Sequence, residues 1–228
     1  TFRIEYRTAW GESIGVMLQG QENSPIMLGT SDGIVWEGSE EMIDAPAGVP
    51  LTYRYGVFLD GQCSRRESGT MAHIFCPSKK QKSHYILNDT WKDLPMASHL
   101  YSAAFSGNYS LENTPKDQCT GQGDIVFRAL CPCLHHRKQI LGICGREEQL
   151  GYWNPDRAIC MEEIQANEWI ATLPIKDLKF PLEFKFVAIN TSTGKVEEWE
   201  MGNNRHLHIN DLRKGEIFFT NEMEVQFA

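Results

Sequence analysis

Two tryptophans sit where a packed core is least able to take them. Trp153 lies in Leu150-Gly151-Tyr152-Trp153-Asn154-Pro155, whose Gly, Asn and Pro specify a turn. Trp199 lies in Val196-Glu197-Glu198-Trp199-Glu200-Met201-Gly202-Asn203-Asn204-Arg205, amid charged and polar neighbours. An indole held out by a loop offers a flat, electron-rich face. The natural complement is the C–H face of a pyranose. Burying about 100 Å² of apolar surface on each ring is worth roughly 2–3 kcal/mol. The hydroxyls around such a ring need donors and acceptors. Lys185, Glu200, Asn203 and Asn204 are of the right type and close by along the chain.

Other chemistries fit less well. Cys131, Cys133, His135 and His136 cluster, but Cys131-Pro132-Cys133 has one residue between its thiols where paired zinc ligands usually have two or more. On a strand, Cys131, Cys133 and His135 share a face and lack a fourth ligand, so no metal is expected. Glycoside hydrolysis needs two carboxylates about 5–10 Å apart across the bond. The visible pairs, Glu40-Glu41, Glu147-Glu148, Glu162-Glu163 and Glu197-Glu198, are adjacent in sequence and point to opposite faces of a strand. There is no phosphate-binding glycine loop, nucleophile elbow or Cys–His signature. The chain is therefore expected to be non-catalytic and to need no cofactor.

The elements that must position these residues are strands. Short alternating runs at 2–7, 14–18, 51–59, 125–133, 139–144, 168–173, 182–189 and 216–220 are separated by Gly, Pro, Asn and Asp. That spacing predicts an all-β chain of sandwich or barrel type, with 95–105 as the best short-helix candidate. Trp36, Gly69 and His73 recur 133 residues later as Trp169, Gly202 and His206. Tyr53-Arg54-Tyr55 recurs 131 residues later as Phe184-Lys185-Phe186. A nearly constant offset predicts one fold used twice. The expected organisation is a β-sandwich at 1–92, a linker at 93–122 and a second sandwich at 123–225.

Composition narrows the partners. The 228 residues carry a formal net charge of -8, which opposes nucleic acid and anionic membrane surfaces but not a neutral carbohydrate. No run approaches 18 apolar residues, so no membrane span is expected. Seven cysteines without a framework spacing suggest reduced thiols and a cytoplasmic home.

The order Leu150-Gly151-Tyr152-Trp153-Asn154-Pro155, Trp169, Glu183-Phe184-Lys185-Phe186, Glu198-Trp199-Glu200, Gly202-Asn203-Asn204-Arg205 resembles the starch-binding domains of carbohydrate-binding module family 20. The resemblance implies an immunoglobulin-like antiparallel β-sandwich with two sugar sites. It implies a first site of Trp153, Lys185 and Trp199. Its second site uses two tyrosines and a strand-opening Trp. Trp169 matches that Trp, whereas the first Tyr position falls on Gly142 and no Tyr stands at 165–167.

The first repeat is more distant. It keeps Trp36 and Glu67 and has Arg54 in place of Lys, but Leu28-Gly29-Thr30-Ser31 replaces the Trp-bearing loop and Arg66 stands at the second stacking Trp. A residual site would fall near Trp10 and Trp36. Two such modules in tandem are similar to the N-terminal part of 4-α-glucanotransferases of glycoside hydrolase family 77. That resemblance implies a C-terminal catalytic domain in cis and an α-1,4-glucan as partner. The competing expectation is a pair of interaction or scaffold sandwiches without sugar affinity, with Trp153 and Trp199 buried apart.

Overall fold

Each alternating run contains a strand in the computed structural model, which describes residues 1–40, 49–67, 72–77, 84–93, 124–131, 134, 138–165, 167–209, 212 and 215–227. The helix expected at 95–105, the linker beyond residue 93, and Cys133, His135 and His136 lie outside the described residues. Helical structure among the described residues amounts to two 3-10 turns, Glu148–Leu150 and Pro155–Arg157. No helix there is long and apolar enough to cross a membrane. Cys63, Cys144 and Cys160 carry free thiols.

The first half supplies β1 (Phe2–Glu5), β2 (Glu12–Leu18), β3 (Ile26–Met27), β4 (Gly29–Thr30), β5 (Val35–Gly38), β6 (Leu51–Leu59), β7 (Gln62–Arg66), β8 (His73–Phe75) and β9 (His84–Thr90). The second half supplies β10 (Asp124–Leu130), β11 (Gln139–Gly145), β12 (Ile159–Cys160), β13 (Glu162–Gln165), β14 (Glu168–Pro174), β15 (Leu182–Asn190), β16 (Val196–Trp199), β17 (Arg205–Leu207) and β18 (Glu216–Glu224). Each half builds a five-stranded sheet around a nine-residue strand, β6 or β15. One is β3-β2-β6-β7 with β8 also on β6, the other β12-β11-β15-β16 with β17 also on β15.

A third sheet joins the two halves. It runs β13-β14-β10-β18-β9-β1-β5-β4 as one eight-stranded sheet through both halves. The join is a parallel pairing of the last strand of each half, Glu216 opposite His84 through Phe219 opposite Leu87. Strand alternation then decides where the cores lie. Leu87, Phe219, Ile217, Val126 and Ile170 join Phe2, Ile4, Tyr53 and Tyr55 in the core of the first half. Ile86, Phe218, Ile125, Phe127 and Ala129 face the other way, into the core of the second half with Phe184 and Phe186. The two five-stranded sheets therefore cover opposite faces of the shared sheet. This is why every residue of β10 is buried where one-sided burial would leave alternate residues wet.

The seam between the halves is polar at one end. Arg128 on β10 donates to the Asp89 carboxylate at 2.7 Å and to Glu222 at 3.2 Å. Asp89 also accepts from the Tyr53 and Tyr55 hydroxyls, each at 2.7 Å. His73 sits between Glu222 and Glu67, with one ring nitrogen 3.0 Å from each. Glu67 accepts in addition from the Lys92 backbone N–H at 2.7 Å. The buried Asp89 and Glu67 carboxylates are tolerated because both oxygens of each accept hydrogen bonds or face a cation. His73, Asp89 and Glu222 lie close enough to hold a metal ion. Arg128 already supplies the cation there, so the group is an ion-pair cluster.

Candidate functional site

The loop that carries Trp153 is specified residue by residue. Leu150 closes a 3-10 turn and is fully buried, which anchors the loop in the core. Gly151 follows at φ +85, and a Cβ there would stand 2.7 Å from the Arg157 carbonyl oxygen. Tyr152 and Trp153 continue in the left-handed region at φ +54 and +59. Non-glycine residues resist that conformation at a cost of about 1–3 kcal/mol each, so surrounding contacts must hold them. The Tyr152 N–H donates to Glu147 O at 3.2 Å, the Trp153 N–H to Gly145 O at 2.7 Å and the Asn154 N–H to Gly151 O at 3.0 Å. The Asn154 side chain then accepts from the Asp156 N–H at 3.0 Å and starts the next turn, with Pro155 in its first position.

Trp199 ends β16, opposite Val187 of β15. Lys185 lies two residues away on the same face of β15, opposite Cys144. The two indoles come together with centroids 6.3 Å apart and planes at 42°. Trp153 is half-buried and Trp199 is 37% exposed, so this tilted pair opens to solvent. The scaffold expectation required these rings to be buried apart, and they are neither.

Lys185 donates to the carbonyls of Glu200 at 3.0 Å and Gly202 at 2.7 Å. Two of its three N–H groups thus fix the strand end beyond Trp199. Asn203 and Asn204 are exposed on the same loop, and Asn204 donates to Glu183 at 2.7 Å. That bond, with Arg146 beside it, holds the Glu183 carboxyl below its usual range.

Glu200 departs from expectation. It is 4% exposed and faces inward. Its carboxylate accepts from the Phe186 N–H at 2.8 Å and from Arg205 Nε at 2.8 and 3.1 Å. With its oxygens occupied, Glu200 shapes the loop and has none to offer a ligand. Trp169 and Trp36 are also core residues, 2% and 5% exposed. Neither presents a ring face to solvent, and Trp36 donates its indole N–H to Tyr6 O at 3.1 Å. Gly142 is packed so tightly that a Cβ would lie 2.4 Å from Ile189 Cδ1. Trp10 alone of the three secondary candidates is exposed, on the turn before β2.

The same brace recurs in the first half. Glu67 accepts from the Tyr55 N–H at 2.7 Å, as Glu200 does from Phe186. His73 lies opposite Tyr53 and contacts Glu67, whereas Arg205 lies opposite Phe184 and contacts Glu200. The counterpart of His73 is therefore Arg205, one residue before the His206 that the repeat offset suggested. Sequence alone missed Arg205, and with it Arg128, whose one signal was a lone charge inside the apolar run Ile125-Val126-Phe127-Arg128-Ala129-Leu130.

The chain is 26% identical over 231 residues to the 4-alpha-glucanotransferase DPE2 of Oryza sativa subsp. japonica, covering 91% of this chain and 24% of that protein. It thus spans about a quarter of that relative's length. Among solved structures, the family 20 carbohydrate-binding module of a maltotetraose-forming amylase from Pseudomonas saccharophila STB07 is 19% identical with a TM-score of 0.32, over 42% of this chain and 99% of that one. A glycoside hydrolase family 15 glucoamylase from Hypocrea jecorina is 17% identical with a TM-score of 0.37, over 47% of this chain and 18% of that one. Residues 124–217, the span that holds Trp153, Lys185 and Trp199, match the starch binding domain family.

Proposed function

We propose that this chain binds α-1,4-glucan without transforming it, and that the ligand stacks across Trp153 and Trp199. The observation that carries this reading is the exposed indole pair, 6.3 Å apart and tilted by 42°. Two faces set at an angle suit successive glucosyl units of a chain that curves. Lys185, Asn203 and Asn204 lie along the rim as hydroxyl partners, and Glu200 and Arg205 brace the loop from within. The match of 124–217 to the starch binding domain family supports carbohydrate as the ligand class.

The reading extends to the parent protein. We take the chain as two tandem units, 1–92 and 123–225, that deliver a C-terminal 4-α-glucanotransferase domain to cytoplasmic glucan. The similarity to the rice enzyme over 91% of this chain motivates that extension.

Titration with β-cyclodextrin tests the site. Removing one ring sacrifices roughly 2–3 kcal/mol of apolar burial, so Trp153→Ala and Trp199→Ala are each expected to weaken binding by on the order of 30-fold or more. Unchanged affinity in both variants would remove the assignment.

A further inference from the structure

The first half has lost its stacking ring but keeps a cavity in the equivalent place. The cavity measures about 120 Å³, and Gln19, Glu22, Arg54 and Arg66 are among the side chains that line it. Its position follows from the strands. Arg54 is the central residue of the Tyr53-Arg54-Tyr55 run on β6, where β15 has Lys185. Arg66 ends β7 opposite Gly56, immediately before the brace residue Glu67, as Trp199 immediately precedes Glu200. A Lys and a Trp in the second half are thus two arginines in the first.

That exchange changes the ligand chemistry. Tyr53 also lines the cavity, but its ring is 1% exposed and its hydroxyl is bound to Asp89, so it offers no platform for a neutral pyranose. Arginine brings a planar fork of donors that matches phosphate oxygens two at a time. Glu22 and Glu67 also line the cavity, so the two guanidinium groups are balanced by two carboxylates, and an anion is recognised there by fork geometry and not by net charge. Glu22 stands with them, its carboxylate accepting from the Gly20 N–H at 2.9 Å. A bare anion meets repulsion from that carboxylate. A sugar that carries its anion on one side places hydroxyls there instead, and Glu22 and Gln19 can accept and donate to them.

We propose that this cavity is a second, charged sugar site that takes a phosphate-bearing glucosyl unit, with Arg54 and Arg66 on the phosphate and Gln19 and Glu22 on hydroxyls. The sugar part of the assignment rests on the Trp153–Trp199 reading, because the cavity is the positional counterpart of that pair. The two halves then read different features of one polymer: the second reads the neutral glucan chain, the first its phosphorylated units.

The test uses the ¹⁵N-labelled 228-residue chain, titrated separately with glucose 6-phosphate, glucose, inorganic phosphate and β-cyclodextrin, followed by amide and arginine side-chain shifts. Saturable shifts around residues 17–22, 52–56 and 66 are expected with glucose 6-phosphate, at least tenfold tighter than with glucose or inorganic phosphate. They should weaken as sodium chloride is raised. Arg66 is exposed on β7, so its replacement leaves the core intact. Arg66→Glu should weaken glucose 6-phosphate by tenfold or more and Arg66→Lys by less, while both retain β-cyclodextrin shifts at 153 and 199. Equal affinity of wild type and Arg66→Glu, absence of saturable shifts at these residues, or inorganic phosphate binding as tightly as glucose 6-phosphate would each overturn the proposal. Failure of the wild-type chain to bind β-cyclodextrin removes the Trp153–Trp199 reading instead, and that result is read at different residues.

Discussion

At the scale of single residues, two side chains expected to touch sugar divide into different tasks. Glu200 is spent inward, on the Phe186 N–H and Arg205. Lys185 is spent partly inward, on the Glu200 and Gly202 carbonyls. The difference is geometric. A carboxylate two bonds from its Cβ, on a residue one place beyond a strand end, folds back onto the neighbouring strand. A lysine on the outer face of β15 reaches across to the loop. Hydrogen bonds from a charged group contribute about 1.5–3 kcal/mol each when shielded, and less where water competes. Lys185→Met therefore releases the 200–202 segment as well as losing a ligand donor. It is expected to weaken β-cyclodextrin binding by on the order of tenfold and to lower stability by only about 1 kcal/mol, since both carbonyls lie near solvent. Calorimetric titration beside thermal melting checks this, and faster amide exchange at 201–204 is the accompanying sign. An unchanged affinity would show that the loop holds Trp199 without the lysine.

At the scale of elements, the loop at 150–155 is strained and exact in its requirements. Three successive residues, Gly151, Tyr152 and Trp153, take positive φ, and glycine stands at the first, where Arg157 O leaves no room for a Cβ. Gly151→Ala brings both a left-handed alanine and a 2.7 Å contact with backbone. The loop must shift, which is expected to cost about 1–3 kcal/mol and to carry Trp153 away from Trp199. Weaker β-cyclodextrin binding together with a lower melting temperature is the expected result, while a variant as stable and as tight as wild type would show that the loop accommodates the methyl. Much of this element was legible beforehand. Gly-x-Trp-Asn-Pro announces a turn through backbone chemistry, and period-two alternation announces the strands on either side. What escaped was register. The repeat offset aligned His73 with His206, yet strand pairing sets His73 opposite Tyr53 and Arg205 opposite Phe184. A hairpin loop that differs by one residue moves every side chain to the other face, and a spacing count cannot see which loop absorbed it.

At the scale of the whole molecule, the shared sheet joins the two halves, and its polar seam decides how the chain responds to pH. Local pattern did not reveal the join, because β9 and β18 each look like an ordinary last strand and their partnership depends on residues more than 130 apart. Its consequence is concrete. His73 is fully buried, and burial alone pushes an imidazole toward neutrality, but Glu222 and Asp89 beside it outweigh that and raise its pKa to about 10. The geometry agrees, since both ring nitrogens face carboxylates at 3.0 Å and only the doubly protonated ring donates to both. In the unfolded chain the same group titrates near 6.5. Its folded pKa is the higher of the two, so its contribution to stability is complete below about pH 6.5 and is lost as pH rises toward 10, at up to about 1.4 kcal/mol for each unit of pH. Glu222 behaves in the opposite sense. Arg128, Lys92 and His73 hold its carboxyl well below the usual range against the effect of burial, so its contribution is present above about pH 4.5 and is lost on acidification. Thermal melting of the chain should thus be most favourable near pH 5–6.5 and should fall steadily between pH 7 and 9.5. His73→Gln keeps a donor in the seam but cannot titrate. It should be less stable at pH 6 and should flatten the alkaline fall. An alkaline slope of the same size in His73→Gln would place the titrating group elsewhere and leave the seam as mere packing between the halves.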